Sequence, residues 1–319
     1  MVQFLIKRFI GLIFVIIGVT FITFIMGYFA PGDPIRAMLS THFNLFQYNL
    51  LRHAYGLDQP WYTQYWNFLV NLVHFNFGTS FKTQGQPVWD ILKEGVPVSA
   101  ELGFWALTIQ IVIGVPLGIY SALKANTWID TSTMGLMLIL FSIPSFVFAV
   151  FAQVFIVWID QNTGANWPSA GWGNNWQYSW SDIQFKLAPI LVLSAIGLAY
   201  FARLARTSML EVLRQDFVRT ARAKGMHEPV VVYRHALRNA LIPLVTIIGL
   251  SFGLIITGAF FIEQIFNIPG IASISISSIT DRDYPVIQAT TVLLAVAVVL
   301  GNLLSDILYT VVDPRIKVQ

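Results

Sequence analysis

Six stretches of this chain lack Asp, Glu, Lys, Arg and His: residues 9–30, 102–123, 131–159, 187–202, 239–262 and 284–305. A helix that crosses a bilayer needs about 20 mostly apolar residues. Five stretches meet that length. The fourth is shorter, and its helix is expected to continue past Arg203 into water. The third is long and contains Pro144, which predicts a kink or a late start. Helices are therefore expected near 9–30, 102–123, 134–159, 187–205, 240–262 and 285–306. Only 11% of the residues are charged, against about 25% in soluble domains, so lipid is the expected solvent. The fold class read from this pattern is an all-α membrane protein with six transmembrane helices.

The first stretch, flanked by Lys7 and Arg8, resembles a secretion signal. Its charge-free run exceeds the usual apolar core of about 7–15 residues, and no small-residue cleavage site follows. It is read as a retained helix. Lys and Arg then set the orientation. With the N-terminus in the cytoplasm, 13 of the 19 basic residues fall inside: Lys7, Arg8, Lys124, the eight from Arg203 to Arg238, Arg315 and Lys317. Arg36, Arg52, Lys82, Lys93, Lys186 and Arg282 fall outside. Both termini are expected in the cytoplasm, and the 31–98, 160–186 and 263–285 segments outside.

What the six stretches lack narrows the function. Charges are costly at the bilayer centre and are kept there only for use, as in proton relays and voltage sensors. None occurs within these runs, so energy for uphill movement is expected to come from elsewhere. The chain has no GxxxxGK[ST] phosphate loop, so ATP would be hydrolysed on a separate subunit. It has no cysteine, which excludes disulfides, thiolate metal sites and cysteine nucleophiles.

Several motifs compete for attention. Gly249–Gly253, "GLSFG", fits the G-x-S-x-G nucleophile elbow around Ser251, which would make the chain a membrane-embedded serine hydrolase. That chemistry needs a strand-to-helix turn and a His–acid pair. Here the motif lies in an apolar run, and all five histidines lie outside the runs. The same glycines read better as GxxxG helix packing. Gly114 and Gly118 in "GVPLG" repeat the spacing. His227 opens "HEPVV", where Val231 replaces the second histidine of HExxH, so no zinc site is expected. Asp281 and Asp283 read as solvated loop charges. Tryptophans 158, 167, 172, 176 and 180 read chiefly as interfacial anchors, with sugar or peptide stacking as the alternative.

The basic segment 203–238 carries eight Lys or Arg against Glu211, Asp216 and Glu228, a net of +5. It would anchor topology, bind anionic lipid or dock a partner. The pattern favours docking. Phe217, Ala221 and Lys224 follow i, i+4, i+7, with Val218, Ala221 and Arg222 beside them, so a narrow apolar strip lies next to Arg219 and Arg222. Ala221 and Ala223 are small enough for a partner to approach the backbone. Gly225 suits a left-handed helix end. Met226, His227 and Glu228 lead to Pro229, which suits the first turn of a second helix running towards Pro243.

At these residues, "VRTARAKGM…YRHALRNALIP" resembles the coupling-loop region of ABC-transporter permeases, in the form of the oligopeptide/dipeptide/nickel import branch. "APGDP" at 30–34, "YGLDQPWYTQYW" at 55–66, "FGTSF" at 77–81, "IPSF" at 143–146, "IEQIFNIPGI" at 262–271, "RDYPVIQ" at 282–288 and "DPRI" at 313–316 resemble the same branch in order. The arrangement is like that of its B-type subunit. The nominal Glu-Ala-Ala of the general importer loop is Arg219-Thr220-Ala221 here, and the interval from Gly225 to Pro243 is longer. The missing glutamate removes any salt bridge borrowed from other importers.

The resemblance implies a type-I ABC importer permease fold. An N-terminal helix and outside loop would fill 1–98, a permease core 99–310 and a cytoplasmic tail 311–319. The loop at 214–238 would couple to ATPase subunits through Phe217, Arg219, Thr220, Ala221, Arg222, Ala223, Lys224, Gly225, Met226, His227 and Glu228. Gly114, Gly118, Gly249 and Gly253 would pack helices. The partners implied are a second homologous permease, two ABC ATPases, an extracytoplasmic solute-binding protein and membrane lipid, with no nucleic acid. The chain would bind no cofactor; ATP and Mg would sit on the ATPases. It would be a multi-pass subunit of a bacterial plasma (inner) membrane and not an enzyme. Di- or oligopeptides are the expected cargo, with nickel complexes or oligosaccharides as alternatives.

Overall fold

The computed structural model describes residues 2–30, 32–39, 44–83, 85–257 and 260–312, with side chains at 2–9, 37, 252–257 and 308–312 left out. The expected tail beyond 312, with Arg315 and Lys317, lies outside the described residues, as do Pro31 of "APGDP" and all of "DPRI".

Among the described residues the chain is helical, with one isolated bridge between Thr79 and Pro87. Helix α1 (Val2–Phe29) leads to three short helices, α2 (Pro34–Leu39), α3 (Leu45–Ala54) and α4 (Trp61–Val73). Helix α5 (Val88–Ile109) passes through a π-helical turn at Gln110–Gly114 into α6 (Val115–Leu123). Helices α7 (Trp128–Ser142), α8 (Ser145–Thr163) and α9 (Trp180–Leu213) follow. Next come α10 (Asp216–Ala223), α11 (Glu228–Val230), a π-helical stretch at Val231–Ala236 and α12 (Leu237–Ala240). The chain ends with α13 (Ile242–Thr257), α14 (Phe260–Ile265), α15 (Ile271–Asp281) and α16 (Tyr284–Val312).

Among the described residues five helical segments are long and apolar enough to cross a membrane: Ile10–Phe29, Val88–Leu123, Ser145–Thr163, Trp180–Leu213 and Tyr284–Ile307. A sixth crossing forms if Glu228–Ala240 and Ile242–Ser251, bent by 45°, act as one. The bend falls at Leu241, just before Pro243, which cannot donate the backbone hydrogen bond that a continuous helix needs.

The third apolar run differs most from expectation. It is two helices. Ile143 (φ −86°, ψ 121°) and Pro144 (φ −57°, ψ 140°) are both extended. Proline pushes the residue before it out of the helical region and leaves the carbonyl four residues back without a donor. Helix α7 therefore starts earlier than expected and stops at Ser142.

Helix α9 does run past Arg203, reaching Leu213. At 34 residues it is about 51 Å long, and Val88–Leu123 about 54 Å. Both exceed the hydrocarbon thickness of about 30 Å, so their ends stand outside it.

The packing explains the glycines. A Cβ on Gly118 would lie 2.1 Å from the Ala202 carbonyl, and one on Gly114 2.9 Å from the Leu198 carbonyl, so α6 rests directly on the α9 backbone. A Cβ on Gly249 would lie 2.2 Å from Ser305 Cα, which seats α13 on α16. Ser305 Oγ donates to the Thr246 carbonyl at 2.8 Å across the same seam. The packing around Gly253 lies outside the described residues.

Candidate functional site

Helix α10 forms a short knob at the basic end of the bundle. Val218 and Ala221 are buried in a cluster with Ala122 of α6, Met209 of α9 and Val231, Val232, Ala236 and Ala240 of the following stretch. Leu213 and Met226 pack against the same cluster. The knob is thus held by several segments at once. Its end is closed by a Schellman pattern: Met226 N–H donates to the Ala221 carbonyl at 3.4 Å and Gly225 N–H to the Arg222 carbonyl at 2.9 Å. That pattern requires a left-handed residue, and Gly225 has φ +75° with open space around it.

The free face of the knob carries Phe217, Arg219, Thr220, Ala223 and Lys224, with Gly225 and His227 exposed beyond it. Arg222 donates to Glu228 across the turn at 2.6 and 3.1 Å. This hydrogen bond raises the pKa of the Arg222 guanidinium above its ordinary value. Both side chains are about half exposed, and such pairs contribute little stability, about 0–1 kcal/mol. Of the expected contact residues, Ala221 is 5% exposed and packs inward, while Met226 is part buried against the same cluster. The inward side is fixed by Val218: the residue three positions on lies on the same helix face.

Beside the knob, Arg206 of α9 grips Asp130 at the start of α7 through two hydrogen bonds, at 2.6 and 2.7 Å. Ser121 Oγ also donates to Asp130, as does Asn126 N–H at 3.0 Å. One carboxylate therefore ties α6, the turn after it, α7 and α9.

The opposite end is a cap built from several separate segments. Lys186 Nζ donates to Glu101 Oε1 at 2.7 Å and to the carbonyls of Asn174 and Gln177 at 2.7 and 2.8 Å. Glu101 Oε2 accepts from Trp172 Nε1 and from Trp176 N–H. Trp172 is 2% exposed and faces Lys186; it is a structural strut rather than an interfacial anchor. Glu263, fully buried, accepts from Ser99 Oγ at 2.7 Å and Ser273 N–H at 3.0 Å. Burial pushes its carboxyl above the ordinary value, against these hydrogen bonds. Asp283 is not a solvated loop charge: it is 2% exposed and accepts from Ser80 Oγ and from Phe81 N–H at 3.0 Å. Asp281 pairs with Lys82 at 2.5 Å.

These buried pairs escaped the sequence reading, although a signal was present. Glu101, Asp130, Lys186 and Asp283 each stand one residue before an apolar run, and Glu263 one residue after. Each bounds a charge-free run in the sequence. The helices or the cap continue through them.

No elbow forms at Ser251. It lies within α13 and donates to the Ile247 carbonyl one turn back at 2.8 Å. Among the described residues no group of three or more His, Asp or Glu could hold a metal ion.

A helical body, apolar on its outside and braced at both ends, is that of a multi-span membrane protein. Residues 114–318 match the family described as binding-protein-dependent transport system inner membrane component, and residues 1–103 match its N-terminal companion. The chain belongs to this family of transport permeases, which are not enzymes. It is 39% identical over 320 residues to the dipeptide transport system permease protein DppB of Bacillus subtilis, covering 100% of this chain and 99% of that one. It is 38% identical to the oligopeptide transport system permease protein AppB of the same organism, over 99% of this chain and 100% of the other. It is 35% identical to the glutathione transport system permease protein GsiC of Shigella flexneri, over 99% of each. In fold it is similar to a chain of the MetNI methionine ABC transporter in inward-facing conformations. The TM-score is 0.57 at 20% identity, covering 70% of this chain and 97% of that one. That likeness shows the fold, a type-I ABC importer permease.

Proposed function

We propose that this chain is one of two permease subunits in an ATP-driven importer of di- or oligopeptides. The relatives named for dipeptide, oligopeptide and glutathione transport support a peptide cargo over nickel complexes or oligosaccharides. In this reading the basic end faces the cytoplasm, and the knob seats in a groove of an ATPase subunit. Phe217, Arg219, Thr220, Ala223, Lys224 and His227 would make the contact. ATP and Mg belong to the two ATPases. A solute-binding protein delivers cargo at the cap end, where a cleft of about 690 Å³ opens between α1, the α3–α4 segment and Tyr284.

The observation that carries this reading is the mechanical continuity of α9. The helix starts at the cap, where Lys186 is locked, passes the Arg206–Asp130 grip and ends at the knob. Force applied to the knob reaches the cap through one helix. The bundle then needs no titratable machinery in its middle to change state.

Gly225→Val tests it. A β-branched residue resists a positive φ, yet nothing surrounds Gly225 to clash with a side chain. Uptake should fall about tenfold or more while membrane insertion is retained. Normal uptake by this variant, with normal ATPase association, would overturn the coupling role.

A further inference from the structure

Among the described residues one guanidinium nitrogen of the bundle is buried without a hydrogen-bond partner. Arg203 lies one turn before Arg206 on α9. Its Nε is buried and makes no hydrogen bond, and among the described residues no carboxylate lies within ion-pair distance of it. The guanidinium carbon instead stands 4.0 Å from the ring centroid of Phe141, near the end of α7.

This pairing fixes where the charge points. Asp130 and Phe141 are eleven residues apart on α7, about 16 Å along a helix axis. Their partners Arg206 and Arg203 are three residues apart on α9, about 4.5 Å. Both contacts exist together only if Arg203 reaches away from the knob, towards the Ile143–Pro144 break. Helical side chains lean towards the N-terminus of their helix, which for α9 is that direction. Arg203 therefore does the opposite of snorkelling: it carries its charge from the helix end towards the membrane interior.

One further fact concerns the face. Arg203 is itself part exposed, and Tyr200 and Thr207 on either side of it along α9 are exposed. Ionisable side chains in membrane helices face the bundle interior or a water-filled path, and they mark where substrates pass. A guanidinium stacked on an aromatic ring and spared an internal acid keeps its outer pair of N–H groups for a carboxylate, which it binds in a two-point fork.

We propose that Arg203, held over Phe141, receives the C-terminal carboxylate of a short peptide as it moves through the inner half of the translocation path. The proposal rests on the peptide reading above. It names Arg203 as a specificity-determining residue of the permease itself.

The test uses cells carrying the complete transporter, supplied with saturating trialanine or trialanine amide. The solute-binding protein is common to every strain, so the ratio between variant and wild type isolates the permease. Arg203→Gln should lower trialanine uptake about tenfold or more, the scale of one or two charge-assisted hydrogen bonds. Amide uptake should stay within about twofold, and Arg203→Lys should restore part of the trialanine rate. Equal loss of both probes in Arg203→Gln, or an unchanged ratio, would overturn the assignment while leaving the peptide reading intact. Failure of the wild type to take up either probe would overturn the peptide reading and the assignment with it. A second readout is independent of uptake. The chain has no cysteine, so Arg203→Cys gives this chain a single thiol in the assembled complex. A water-soluble thiol reagent should modify it, detected as a mass increase on this chain. Protection from the reagent in the assembled complex would place the residue against lipid or a partner and overturn the proposal.

Discussion

Lys186 Nζ stands 2.7 Å from Glu101 Oε1, with the two side chains 3% and 0% exposed. The pair joins α9 to α5 and pins the 172–177 loop between them. Removing one member leaves a buried charge uncompensated, which typically costs about 3–5 kcal/mol. Lys186→Met should therefore lower the Tm of the purified chain in detergent sharply. Combining it with Glu101→Gln should recover much of the loss, since the stranded carboxylate is gone. A double variant no more stable than Lys186→Met would show that the pair is not the source of the effect.

Asp130 holds three segments, and its loss should be felt at the knob. Asp130→Asn keeps the size of the side chain but removes the charge that both Arg206 hydrogen bonds depend on. Hydrogen bonds to charged groups contribute about 1.5–3 kcal/mol. The expected outcome is faster hydrogen exchange at backbone amides of 121–131 and 204–213, with the cap unaffected. Exchange that rises equally at the cap would mean global loosening instead.

Two glycines should answer differently to the same substitution. At Gly118 a Cβ would sit 2.1 Å from a backbone oxygen that cannot move aside. Gly118→Val should destabilise by about 1–3 kcal/mol or more and reduce the amount of folded chain in the membrane. At Gly225 the penalty is local backbone strain without a clash, so Gly225→Val should accumulate normally and fail in transport. Reversed outcomes, with Gly118→Val folded and Gly225→Val degraded, would contradict both accounts.

Orientation can be read with the same absence of native thiols. Asn175→Cys lies exposed in the cap and Lys224→Cys exposed on the knob. In intact cells an impermeant thiol reagent should modify residue 175 and leave residue 224 untouched, and inside-out vesicles stripped of the ATPase subunits should give the converse. Modification of both from one side would refute a chain that separates cap from knob across a membrane.

Much of this architecture was legible in the sequence because lipid imposes one rule on every crossing segment. Residues 102–123 and 284–305 stand inside the helices expected of them. Gly225 was legible because few residues tolerate its backbone angle. The failures share a cause. A charge such as Glu101 or Lys186 looks like the end of a span when its partner lies 85 residues away. Only the fold brings the two together and makes burial tolerable. The inward turn of Ala221 was hidden for a similar reason: alanine suits a contact surface and a core equally, and Val218 beside it decides which. Pro144 announced an interruption, but whether the helix bends or stops depends on the backbone of Ile143, which a single letter does not specify.

The cap has one more implication. Its buried carboxylates brace α5, the 172–177 loop, the start of α15 and the 80–82 segment against one another. A shell cross-braced in this way does not part along its own seams. In the two-permease reading proposed above, each permease would swing as a stiff half of a clamshell, and the slot that admits cargo would lie between the two chains.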